Sequence, residues 1–574
     1  MTVQASTVDA AADAASARRS TAGRLALAAA AVAGFLLVGL AFSHAVGFLP
    51  AGLYTTDYLF LAEGARRIAL GQMPHADFSA PIGPLTFWLI ALARRLPFLG
   101  PDVFALNVLM WAIVAAPAGV VALRLRSSWA ALGFLAIAAL TVLSPFNLEE
   151  MTGACEVNYN GIYNRHGAAL LFVTFVAGFT RPRSAARDGL LFAWLLAAML
   201  LTKVTYGVAG AAFLGFACFF SAFRLRAFAA ALLVLTAAAL VAEATTGLVT
   251  AYAGDVASMA RLNTGRIAAF LSGTFWGNTL VILSGLALVA ALSIEPLSFA
   301  MRALRERKVR EALQRLEIPA LATACLILTV WTESQSTGGP GLVGLSALAF
   351  APALAAGRQD RLKIALAVGV VLLTAGLLAD QVLRRGWCLV EGAPGYRMHP
   401  ALGALSPGLR VAPGRLPAAE LTARLWRDHR ILADEAYRSG FDFNLESYGA
   451  PVSFVANAIL AYEAAERLRA LGLNRRLRHV MTLGFVDDFS PLLDLPPAPG
   501  TKLVLDPYRT IGEITPAEAA AYLAPIDAAF ERTCAAPLHA RQIVDFFRPA
   551  LEEAFQPVVL TPCWTVHLRA TSPG

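Results

Sequence analysis

The sequence predicts a polytopic α-helical membrane protein, about 11 transmembrane helices followed by a C-terminal extracytoplasmic α/β domain, and three observations predict it. Of 574 residues, 57% are hydrophobic and 15% charged, with a mean hydropathy of +0.61. Soluble domains carry roughly 25% charged and about 45–50% apolar residues. Apolar runs near the roughly 20 residues needed to span hydrocarbon recur through residues 24–380. Charged residues are interspersed through 381–574, a length ordinary for one soluble domain.

The elements follow in chain order. Residues 1–24 form a polar, Ala-rich tail ending in Arg18, Arg19 and Arg24. The apolar run from Leu25 to Leu49 exceeds a signal-peptide core of about 7–15 residues, so a retained signal-anchor helix is expected. The expected spans are 25–46, 103–123, 129–144, 167–180, 189–205, 206–223, 227–245, 269–294, 317–332, 341–356 and 364–380. Splitting 189–223 into two helices sets the parity of everything after it.

Orientation comes from charge. With the N-terminus inside, the inner connections hold Arg24, then Arg124 and Arg126, then Arg181, Arg183 and Arg187. They continue with Arg224 and Arg226, the stretch Arg302 to Arg315, and Arg358, Arg361 and Lys363. Every basic cluster falls on one side, as the positive-inside rule requires. The N-terminus is therefore expected in the cytoplasm and residues 381–574 in the periplasm or exterior, across the cell's inner (plasma) membrane. The same distribution accounts for the net charge of +8 without a polyanion, and no basic, aromatic-interleaved patch points to nucleic acid.

The outer connections are the elaborate ones: 50–102, 145–166, 246–268 and 332–340. In the terminal domain, helix patterns run through 417–437, 455–471, 516–533 and 540–555, and strand-like runs through 479–485, 501–507 and 557–568. The six cysteines show no CxxC and no Cys/His metal spacing. Cys155, Cys218 and Cys325 read as buried free thiols in or beside the apolar region. Cys534 and Cys563, in an oxidising compartment on this topology, are expected to pair, with Cys388 a competing partner.

The informative segment is Thr55 to Leu89. Asp57 stands just after the first span, followed by an amphipathic stretch, Gly71 with Pro74, Asp77-Phe78, and Gly83-Pro84-Leu85. The Gly and Pro residues cut it into pieces suited to helices lying along the interface. This arrangement resembles the GT-C superfamily of membrane glycosyltransferases. There an acidic residue in the first outer loop precedes a helix, a G-x-x-P-x-x-D-F-like stretch and a G-P-L-like re-entry. The resemblance implies a polyprenyl-phosphate-linked sugar as donor and a glycan, lipid or protein as acceptor, with membrane lipid around the site. It departs from many relatives in having no D-x-D in this loop. A divalent cation (Mg or Mn) held by Asp57 and Asp77 is therefore left open.

Sugar transfer to a hydroxyl needs a base to take the acceptor proton, and a partly buried carboxylate serves well. Asp57 is the candidate base, with Asp77 as second carboxylate or positioning group. The competing reading is that Asp57 caps the interfacial helix. In the loop 145–166, Glu149, Glu150, Glu156, Asn160, Tyr163, Asn164, Arg165 and His166 offer polar edges and ring faces for sugar or phosphate. An interfacial belt would show the same residue types. Lys203 interrupts a long apolar stretch, where a charge is costly unless it snorkels or meets a partner. The resemblance implies that it neutralises the departing polyprenyl phosphate. No P-loop, GxSxG, HExxH or Rossmann fingerprint occurs. A transporter or flippase, or a non-catalytic subunit of a polysaccharide export system, is the alternative. Acidic residues converging near Lys203 and Arg165 would favour the transferase, and charges along a pore would favour transport.

Overall fold

A computed structural model of the protein describes residues 3–146, 155–180, 184–336, 342–352, 361–432, 435 and 451–570. α1 (Val3–Val46), α2 (Thr55–Ala69) and α3 (Leu85–Arg95) lead into α4 (Asp102–Ala122) and α5 (Ser128–Leu143). α6 (Ile162–Phe179) is buried on nearly every face and forms the axis of the bundle. α7 (Ala185–Thr202), α8 (Val204–Ala217) and α9 (Ala222–Thr246) pack in sequence. At the rim the apolar side chains turn outward. Leu37 on α1 and Leu233 on α9 are 64% and 72% exposed, a surface suited to lipid rather than water.

Among the described residues, seven helices are long and apolar enough to cross a membrane, and two shorter apolar helices lie at 128–143 and 204–220. Three expected spans differ. The run 269–294 breaks at Gly277-Asn278, both poor helix formers, leaving α11 (Ile267–Gly277) and the long α12 (Thr279–Arg305). The stretch 341–356 begins as an eight-residue 3₁₀ helix, Val343–Phe350, and 353–360 lie outside the described residues. The last span does not stop at 380. α14 (Arg361–Val371) passes through a π-turn at Leu372–Gly376 into α15 (Leu377–Gly392). The connection 246–268, expected as a loop, is largely α10 (Leu248–Asn263), whereas the 189–223 run divides into two helices as expected. α13 (Val309–Ser334) completes the bundle.

Basic residues gather at one end. Arg24 donates to the carbonyl of Leu125, Arg124 pairs with Asp188, and Arg224 pairs with Glu317 at 2.5 Å. The terminal domain sits at the other end and is knit into the first loop. β1 (Leu49–Pro50) pairs in parallel with β2 (Leu409–Arg410). Arg67 donates to the Ala498 carbonyl (3.1 Å) and Thr501 Oγ1 (2.9 Å), and the Gly500 amide donates to the Asp77 carbonyl (2.8 Å).

The terminal domain is a mixed sheet in the order β3-β4-β6-β5, where β3 is Val480–Thr482, β4 Ala528–Arg532, β5 Phe555–Thr561 and β6 Trp564–Arg569. β3 and β4 are parallel and the other pairs antiparallel. Helices Leu416–Asp428, Pro451–Ala470, Pro516–Leu523 and Leu538–Ala554 accompany it. Two sequence expectations fail here. The 516–533 helix ends at Leu523, because Pro525 has no N–H to continue the ladder, and 528–532 become β4. The 557–568 run folds into a hairpin turning at Pro562-Cys563. The 501–507 run forms no strand of the sheet and lies along the first loop, with Lys502 bridged to Ser79.

Cys563, at the hairpin turn, is bonded to Cys534, just after β4. The free-thiol reading of Cys155 is overturned, since Cys155 is bonded to Cys388, 233 residues away. Nothing local in sequence marks such a partner. Cys218 and Cys325 are free.

Candidate active site

The entry to α2 is built by close backbone packing. Thr55 Oγ1 accepts from the Gly52 amide (3.0 Å) and donates to its carbonyl (2.8 Å). Leu53 donates to Val157 O and accepts from the Tyr159 amide, both at 3.0 Å. A Cβ on Gly52 would stand 2.2 Å from the Val157 carbonyl oxygen, so only glycine admits this contact. Tyr54 then takes φ 50°, a left-handed conformation costly for a side-chain-bearing residue.

These contacts set Asp57 in the first turn of α2, buried at 8% exposure. The capping reading does not hold for its own helix, whose N-cap, Tyr54, makes no side-chain cap bond. Instead Asp57 Oδ2 accepts from the amide of Gly161, the N-cap residue of α6, at 3.2 Å. The first outer loop and the 155–161 segment are thereby joined at a carboxylate.

Lys203 marks the break between α7 and α8, with extended backbone at φ −163° and ψ 126°. Its ammonium donates to Asn164 Oδ1 (3.0 Å), the Gln335 carbonyl (2.9 Å) and Ser336 Oγ (3.1 Å), and lies 5.6 Å from the centre of the Tyr163 ring. The Gly83-Pro84-Leu85 re-entry presses on this break. The Gly83 amide donates to the Thr202 carbonyl (3.0 Å), and a Cβ on Gly83 would fall 2.2 Å from Leu201 O.

Tyr163 links the two charges. Lys203 lies over its ring, and its hydroxyl lies in the field of Asp57, Arg509 and Asp506. Lys203 in turn lies in the field of Arg509 and Glu333. Burial pushes the Asp506 carboxyl up, opposed by the Arg509 and Arg266 guanidinium groups. Beside the cluster lies a cavity of about 640 Å³, bounded by Phe270, Asn278, Glu333, Ser336, Leu373 and Leu377. Ser336 belongs to both the cavity wall and the Lys203 cradle.

Other candidates have different partners. Asp77 is exposed, and its Oδ2 accepts from the Met73 amide at 2.6 Å, closing its own turn. His75 bonds Asp255 at 2.7 Å and stacks 4.5 Å from Tyr252. Glu156 is paired with Arg415 of the terminal domain. His166 bonds Asn107 at 2.9 Å inside the bundle, and Arg165 is fully buried beside it. Glu243 caps the start of α10 through Thr250. Glu149 and Glu150 lie outside the described residues. Sequence reasoning missed Asp255, Asp506 and Arg509. Asp506 and Arg509 lie on the turn Asp506-Pro507-Tyr508-Arg509-Thr510, with Tyr508 at φ 60°, and Asp255 on α10. Among the described residues no three His, Cys, Asp or Glu side chains group to hold a metal ion. Asp57 and Asp77 each accept from a different backbone amide, Gly161 and Met73.

Fold and site together define an integral membrane protein whose helical bundle ends in a carboxylate–tyrosine–lysine cluster beneath a terminal α/β domain. No known family profile matches the chain, and no curated protein does. It is similar to the crystal structure of ArnT from Cupriavidus metallidurans bound to undecaprenyl phosphate, at 13% identity and a TM-score of 0.37, covering 96% of this chain and 98% of that one. The apo structure of ArnT gives 15% and 0.39, covering 94% and 98%. Likeness at this level assigns neither family nor activity.

Proposed function

We propose that the chain is a membrane glycosyltransferase of the GT-C kind, moving a sugar from a polyprenyl-phosphate carrier to an extracytoplasmic glycan, lipid or protein. The observation that carries this reading is the grouping of the Asp57 carboxylate and the Lys203 ammonium around Tyr163, at the edge of the large cavity. Asp57 takes the proton of the acceptor hydroxyl while that oxygen bonds to the anomeric carbon. The bond from that carbon to the phosphate oxygen breaks, and the electron pair leaves with the carrier phosphate. Lys203 offsets the charge that gathers there. Phe270, Leu280, Val281, Leu373 and Leu377 give the cavity an apolar wall suited to a prenyl chain.

Two observations support the orientation expected from charge. Basic residues hold the end of the bundle opposite the terminal domain, and both disulfides lie at or beyond the terminal-domain end, as suits an oxidising compartment. A transporter would be favoured by charges along a pore, and here Asp57, Lys203, Glu333 and Arg509 converge at one end. The test is to incubate purified protein with radiolabelled polyprenyl-phosphate sugars and candidate acceptors. Transfer by the wild type that is absent in Asp57→Asn supports the reading. Equal transfer by both, at equal expression, refutes the site.

A further inference from the structure

A second, smaller cavity of about 70 Å³ lies between the first turn of α2 and the terminal domain. Its walls come from the loop leaving β3 (Thr482 to Asp488), the end of β4 at Arg532, the start of β6 at Trp564 and the N-terminus of the helix Leu538–Ala554. Asn457 and Thr56 complete it. This is the carboxyl edge of the parallel pair β3–β4, the place where open α/β sheets receive ligands.

Three polar atoms on its wall are buried without a hydrogen-bond partner: Thr56 Oγ1, Asn457 Oδ1 and Trp564 Nε1. Trp564 itself is only 2% exposed and is held edge-on to Phe489, 4.9 Å between ring centres. Buried polar groups in native proteins are nearly always satisfied, so these three call for something that fills the cavity. Their chemistry selects it. The indole N–H needs an acceptor, the Asn457 carbonyl needs a donor, and the Thr56 hydroxyl takes either. An anion would meet the Asn457 oxygen and the Asp488 carboxyl, while a cation would meet the indole N–H and the Arg532 guanidinium. A neutral hydroxyl serves all three.

We propose that this cavity binds the hydroxyl-bearing edge of a saccharide ring. Its volume of about 70 Å³ exceeds the roughly 10–15 Å³ that one water needs, leaving room for more than a single water. Asp488 adds a further partner. Burial first, and then the neighbouring Asp487, push its carboxyl up to about 7, against Arg532 and Asn457, so near neutrality it both donates and accepts. Asp487 is occupied, accepting from the Thr482 hydroxyl (2.9 Å) and the Phe489 amide (3.2 Å). Thr56 adjoins Asp57, so a sugar held here lies along the same helical turn as the proposed base. That the saccharide belongs to the acceptor rests on the transfer reading; that the cavity binds one does not.

The test uses the purified full-length protein titrated with glucose, galactose, mannose, arabinose and N-acetylglucosamine, read by saturation-transfer NMR. Trp564→Phe removes the N–H and keeps a ring, and Asn457→Leu removes the carbonyl at similar size. At least one saccharide is expected to bind saturably, with affinity reduced about tenfold or more in each variant at unchanged melting temperature. No saturable binding by any sugar would mean a cavity for water only, and binding by both variants as tight as the wild type's would place the sugar elsewhere; either result overturns the proposal. Where Trp564→Phe fails to fold, Asn457→Leu decides alone. Asp57→Asn should retain saccharide binding. If Asp57→Asn also retains transfer, the active-site assignment falls and the saccharide pocket stands.

Discussion

At the scale of single residues, the sharpest expectation concerns Asp57. Asn keeps its size and can still accept from the Gly161 amide, so Asp57→Asn should fold and insert normally. It cannot take a proton, and loss of a general base costs about 10²–10⁴ in rate, measurable as initial transfer rates at matched expression. Lys203→Met should raise the donor KM by about tenfold or more, the worth of a charge-assisted contact, and affect kcat less. Asp488 gives a pH signature. Its folded pKa of about 7 lies above the ordinary aspartate value of 3.8, so the folded state holds the proton more tightly. Its contribution to stability is then complete below pH 3.8 and lost as pH rises through about 7. Asp488→Asn should flatten that decline in a melting series from about pH 4 to about pH 8, and an unchanged slope would count against the assignment. Asp57 and Lys203 were legible in sequence because a carboxylate after a span and a lysine within an apolar stretch are costly residues. Asp506 and Arg509 were not, because residues so far along the chain from Asp57 and Lys203 carry no local sign that they will close a site.

At the scale of elements, the membrane helices were readable because apolar length is a strong signal. Strands were read less well. The 557–568 run looked like one strand because both arms of the β5–β6 hairpin are apolar and its turn, Pro562-Cys563, lacks glycine. The α7–α8 break is the element on which the site depends. Lys203 has its place because Gly83 packs against the carbonyls ending α7. Gly83→Ala places a methyl 2.2 Å from Leu201 O, a clash with backbone that no side-chain rotation relieves. It should therefore reduce transfer and lower the melting temperature together, whereas Gly71→Ala is strained by φ +86° yet meets nothing within 4 Å. Equal behaviour of the two variants in a thermal-shift assay would argue against this role for the re-entry.

At the scale of the whole molecule, reporter fusions after Arg126, Arg187 and Gly574 test the orientation, and a cytoplasmic signal at Gly574 would reverse it. Alkylation without reductant should label Cys218 and Cys325 in denatured protein and leave Cys155, Cys388, Cys534 and Cys563 unlabelled. The 29-residue separation of Cys534 and Cys563 corresponds to about 3–4 kcal/mol of loop entropy removed from the unfolded chain. The paired Cys534→Ser and Cys563→Ser variant should melt earlier accordingly.

The pairing of β1 with β2 has a consequence for synthesis. Leu49 leaves the ribosome long before Leu409, yet each supplies the other's hydrogen-bonding edge. Through translation of the whole bundle, the loop that bears Asp57 waits without its strand partner, its Cys155–Cys388 tie and its Arg67 contacts. Helix insertion can proceed one span at a time, but the site cannot mature until the last third of the chain has been made. A nascent chain arrested before residue 409 should therefore be threaded through the membrane yet lack the assembled site.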